Sequence, residues 1–61
     1  MKTTIIIKYK DSNALIKEEY KTKEVANNRF TELIKMGHEK EIKCFWIGPT
    51  NKPEERTRID F

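Results

Sequence analysis

Two stretches of this chain carry large apolar side chains at both odd and even positions: Thr4-Ile5-Ile6-Ile7-Lys8-Tyr9 and Ile42-Lys43-Cys44-Phe45-Trp46-Ile47. Successive side chains of an extended strand point to opposite faces, so each stretch predicts a strand that buries something on both sides. Only one segment has helical periodicity, and one helix covers one face of a small sheet. The pattern therefore predicts a second face left partly bare, to be covered by another copy of the chain or by a partner protein.

The remaining elements follow from alternation and punctuation. Thr3 to Lys10 reads as the first strand, with Ile5, Ile7 and Tyr9 on one face and Thr4, Ile6 and Lys8 on the other. Lys10-Asp11-Ser12-Asn13 supplies the short polar side chains of a tight reversal. Ala14 to Tyr20 is a second strand, with Ile16 and Tyr20 on one side and Leu15, Lys17 and Glu19 on the other, the charge expected of a sheet edge. Thr22 caps a helix from about Lys23 to Met36, with Glu24 in its first turn, Lys35 in its last and Gly37 as its stop. Ala26, Phe30, Leu33 and Gly37 form its apolar stripe, widened by Val25 and Ile34, while Arg29, Glu32 and Lys35 line its wet side. Glu41 to Ile47 is the third strand and residues 48–55 a loop whose prolines exclude regular structure. Arg56 to Phe61 alternates again, as a fourth strand or as a tail that orders on binding.

Chain direction and a right-handed crossover place these elements in one α+β domain spanning residues 1–61, β-β-α-β(-β), with spatial strand order 2-1-3 or 2-1-3-4. The two most apolar strands become central, which agrees with their composition.

Adjacent Phe45 and Trp46 must face opposite ways on a regular strand. The wholly apolar set Ile42, Cys44 and Trp46 is expected in the core. Phe45 and Ile47 then share the open face with Ile6, among Thr4, Lys8, Lys43, Arg56 and Arg58. An aromatic anchor ringed by Lys and Arg is a frequent composition for a protein-protein contact. The candidate interface is accordingly Ile6, Lys8, Lys43, Phe45, Ile47, Arg56 and Arg58.

Composition narrows the chemistry. With 61 residues the core is small, and chains of this size usually recruit a disulfide, a metal or a partner subunit. Cys44 is the single cysteine and His38 the single histidine, at no usual zinc spacing, so association is the expected source of added stability. Cys44 reads as a small core hydrophobe and His38 as a solvated loop residue. Glu18-Glu19 and Glu54-Glu55 are adjacent and diverge on strands, so they make no acid/base dyad, and Gly37 and Gly48 form no phosphate-cradling loop. The expectation is a non-enzymatic chain with no cofactor and no metal. The net charge of +3 reflects 13 basic and 10 acidic residues, a mixed surface rather than a polycation. A nucleic-acid-binding alternative rests on Lys8, Lys10, Lys17, Lys21 and Lys23, with Phe45 as a stacking platform and Lys8, Lys43 and Arg58 on phosphates; Asp11, Glu18, Glu19 and Glu24 interspersed among the lysines weigh against it. The triplet Ile5-Ile6-Ile7 is too short for a signal-peptide core or a membrane span, and the lone thiol fits a reducing cytoplasm.

The segments Thr22-Lys23-Glu24-Val25-Ala26 and Phe30-Thr31-Glu32-Leu33-Ile34-Lys35-Met36-Gly37, flanked by a Lys-rich hairpin and one aromatic strand, resemble small bacteriophage and mobile-element accessory proteins. That resemblance implies a cytoplasmic homodimer in a bacterial host that inhibits a host defence protein by steric blockade, without catalysis.

Overall fold

The computed structural model describes residues 2–61. The chain runs β1 (Thr3–Tyr9), β2 (Leu15–Tyr20), α1 (Lys23–His38), β3 (Ile42–Pro49), a single 3-10 turn (Pro53–Glu55) and β4 (Thr57–Asp60). The four strands form one sheet in the order β2-β1-β3-β4, antiparallel at every pairing. The α+β class and the predicted order with its fourth strand are both present, and Arg58 to Asp60 are held by pairing with Trp46 to Cys44.

α1 packs on one face of the sheet. Ile5 and Ile7 of β1, Leu33 of α1, and Ile42 and Phe45 of β3 make the buried cluster, and Tyr9, Tyr20, Phe30, Ile34, Met36, Ile47 and Ile59 close around it. Phe45 is its centre. Phe30 meets it edge-on at 5.6 Å between ring centroids and Phe61 stacks on it at 5.9 Å.

β3 departs from the expected alternation. Ile42 and Phe45 lie three positions apart, yet both belong to the core cluster. The register explains this: Cys44 faces Lys8 and Ile42 faces Tyr9, so Lys43 is an extra residue in a β-bulge. The bulge reverses the parity of the strand. Beyond it Phe45 and Ile47, opposite Ile7 and Ile5, point toward the helix, while Cys44 and Trp46, opposite Lys8 and Ile6, point away from it. The expected core set Ile42, Cys44 and Trp46 therefore splits, and Phe45 and Ile47 leave the open face.

The helix ends are also instructive. Thr22 Oγ1 accepts from the Val25 amide at 3.3 Å, as an N-cap does. Gly37, however, does not stop the helix, which continues through it to His38. The turn is made by Lys40, in the left-handed region at φ 63°, with the Lys40 amide donating to the Gly37 carbonyl and the Glu41 amide to the Met36 carbonyl. Gly37 serves a different need: a Cβ there would lie 2.3 Å from the Phe61 ring. Pro49 is accommodated at the end of β3, which there pairs with β1 alone because β4 begins opposite Ile47. Pro53 opens the 3-10 turn, a position where a missing amide hydrogen costs little.

Arg29 was expected on the wet side of the helix but fastens α1 to the edge strand. Its Nε and Nη2 donate to the two carboxylate oxygens of Glu18 at 2.9 and 3.1 Å, and its Nη1 reaches Glu32 at 3.1 Å. The Tyr20 hydroxyl donates to the same Glu18 at 2.6 Å.

Candidate functional site

The face of the sheet opposite α1 is covered at one end by the chain itself. Thr4 is fully buried there, its hydroxyl 2.7 Å from that of Thr50, and the Thr50 amide donates to the Lys2 carbonyl. Gly48 lets this loop close down, since a Cβ at that position would stand 2.8 Å from the Arg56 Cα. On the rest of the face Cys44 is buried, while Ile6 and Trp46 are only half-buried.

Its centre is Trp46, half-buried, with the Arg58 guanidinium 5.1 Å from the ring centroid. Arg58 sits opposite Trp46 on β4 and its Nε donates to Asp60 at 2.8 Å. That hydrogen bond, with the charge of Asp60, holds the guanidinium above its ordinary range. The guanidinium thus makes a cation–π contact with the indole. Ile6, opposite Trp46 on β1, then Leu15, Pro53 and Arg56 line a shallow depression of about 290 Å³ beside the indole. Leu15 is 56% exposed, the largest exposure of any large apolar side chain among the described residues. Arg56 Nε is buried without a hydrogen-bond partner among the described residues. The rim carries Lys8, Lys17, Arg56 and Arg58 against Glu19 and Asp60, a cationic excess.

Of the seven residues predicted for this surface, Ile6, Lys8, Arg56 and Arg58 are brought together on it. Phe45, with no exposed surface, and Ile47 lie on the helix side, because the bulge at Lys43 shifts the strand by one residue. Lys43 is exposed but belongs to the bulge itself, about 10 Å along the strand from Trp46. Trp46 holds the place foreseen for Phe45. The enclosure of Phe45 also removes the stacking platform on which the nucleic-acid alternative was built. Leu15 was legible as an apolar residue on a charged edge strand; Trp46 was not, because the bulge carries no glycine or other signal of its own.

Elsewhere, Cys44 is 2% exposed. His38 is the last residue of α1 rather than a loop residue, edge-on to Phe61 at 6.1 Å. A groove of about 510 Å³ lies between the first turns of α1 and the sheet, with Ala26, Phe30, Ile47 and Pro49 among its walls. Among the described residues no three side chains are grouped as metal ligands, and no helix is long and apolar enough to cross a membrane. No family model, no curated protein and no solved structure matches this chain.

Proposed function

We propose that this chain is a non-enzymatic protein-binding module that meets its partner through the open sheet face around Trp46, and that it does so as a homodimer. The observation that carries the reading is the composition of that face: one half-buried indole held under Arg58, apolar Ile6 and Leu15 beside it, and a rim of cations. Contact hot spots favour Trp and Arg set in a partly desolvated hollow and surrounded by polar residues that exclude water. A guanidinium already lies over the indole, so the ring is less suited to stacking a nucleobase than to packing against a protein surface. The resemblance to small phage accessory proteins gives the partner its direction: a host protein, blocked by occupation of its surface.

Trp46 is the single tryptophan, and its fluorescence therefore reports on this face alone. The test is capture of partners from nuclease-treated bacterial lysate by the tagged chain, followed by titration of the purified partner against the native chain and Trp46→Ala. The expected result is a shift in Trp46 emission when the native chain binds and, by isothermal titration calorimetry of both proteins, a loss of affinity of about thirtyfold or more in the variant, as for a hot-spot residue. Equal affinity of the two proteins rejects the assigned face. Binding of oligonucleotides that collapses with salt, and of no protein, rejects the reading in favour of nucleic acid.

A further inference from the structure

We infer that two copies of this chain pair through the free edge of β2, antiparallel, in the register that sets Lys17 opposite Glu19 of the second copy. This deepens the homodimer reading above and rests on it.

β2 lies at the end of the sheet, so the backbone groups on its outer side have no neighbouring strand. At its start Leu15 and Ile16, on opposite faces, are 56% and 44% exposed. An edge strand is normally defended by charge, and β2 does carry Lys17, Glu18 and Glu19. A run of like charges would oppose every self-pairing. These are of mixed sign, and their order allows a charge-complementary pairing.

Symmetry limits the choices. A two-fold axis perpendicular to the sheet keeps the faces in common, so odd residues face odd and even residues face even. With Glu18 on the axis, Lys17 faces Glu19 of the copy and Glu19 faces its Lys17, while Ile16 faces Tyr20 on the helix side. The two Glu18 carboxylates meet at the centre, where each is already held by the fork of Arg29. Moving the axis to Lys17 sets Lys17 against Lys17 and Ile16 against Glu18. Moving it to Glu19 sets Glu19 against Glu19 and Lys17 against Lys21. Cross-strand pairs of opposite charge favour a register and like pairs oppose it; of these three axes only the one on Glu18 sets opposite charges face to face, and its single like pair, Glu18 against Glu18, is offset by the two Arg29 forks. Within the single chain Lys17 and Glu19 make only a loose contact of 3.9 Å; across the axis each finds a direct neighbour.

The resulting sheet runs β4-β3-β1-β2 into β2-β1-β3-β4 of the copy, with both helices on one side and both Trp46 faces on the other. The second copy thereby extends the proposed binding surface, continuing it across Leu15 and Lys17.

The test is a charge exchange read by sedimentation equilibrium, with circular dichroism verifying that every variant is folded. The native chain is expected to dimerise, at twice its 7.3 kDa mass. Lys17→Glu and Glu19→Lys, each alone, raise the dissociation constant about tenfold or more by turning both symmetric pairs repulsive. Mixing the two single variants restores a one-to-one heterodimer, and the double exchange Lys17→Glu with Glu19→Lys restores the homodimer. A native dimer indifferent to both single substitutions overturns the edge assignment and leaves the homodimer reading standing. Loss of the dimer in both variants without rescue on mixing overturns the register. A native chain that stays monomeric at millimolar concentration overturns both.

Discussion

Gly37 shows how much one missing methyl group can decide. It sits in the last turn of α1, where alanine would ordinarily stabilise the helix by about 1 kcal/mol. Here the Phe61 ring occupies the space, and the same ring stacks on Phe45 at the centre of the core. Gly37→Ala must therefore expel Phe61, and the packing lost offsets the helical gain. A double-mutant cycle by urea unfolding separates the two effects: Gly37→Ala is expected to be neutral or destabilising in the native background and stabilising by about 1 kcal/mol in a Phe61→Ala background. Equal effects in both backgrounds would mean the ring makes way freely. Lys40 holds the complementary lesson. It adopts φ 63° with a Cβ that disfavours it, so Lys40→Gly is expected to raise stability by about 1 kcal/mol, read from the same unfolding curves. The glycine was readable in the sequence as a helix stop; its true role was not, because the need for it arises from a residue more than twenty positions away.

At the level of elements, the link between β2 and α1 is electrostatic and titrates. Burial by itself pushes Glu18 up, but hydrogen bonds from Arg29 and Tyr20, with the Arg29 charge, together hold its carboxyl below the ordinary 4.5. Burial and the hydrogen bond to Glu18 push the Tyr20 phenol up to about 12 from 10.0. A carboxyl depressed in the folded state stabilises fully above its unfolded value, and that contribution is lost as pH falls through the folded one. A phenol raised in the folded state stabilises fully below 10.0, and that contribution is lost as pH rises toward about 12. The urea midpoint is thus expected to be flat between these limits and to fall outside them. Tyr20→Phe should remove its share of the alkaline decline, and Glu18→Gln its share of the acid one while returning the Tyr20 titration toward 10, followed through the Tyr20 ring signals by NMR. An unmoved Tyr20 titration in Glu18→Gln would refute the coupling. The strands themselves were legible because alternation and turn residues agree along β1 and β2. This tie was not, since Glu18 and Arg29 look alike solvent-exposed until the edge strand is laid beside the helix.

For the whole molecule, strand order follows from chain direction and handedness alone, and the helix-side core of Ile5, Ile7 and Leu33 follows from period. What alternation could not supply was the count of residues through β3, and the proposed binding face depends on that count. Phe45 and Trp46 compete for one place in the core, and the extra residue Lys43 awards it to Phe45 while keeping Ile42 inside as well. In hereditary terms the identity of the exposed aromatic is a one-codon character. Deleting Lys43 removes the parity reversal, so that Ile42 and Phe45 no longer fit on one side together: the strand must surrender one of them or slide to bring Trp46 inward. Substitutions would retouch the surface gradually, whereas a three-nucleotide deletion would exchange one chemical face for another in a single step.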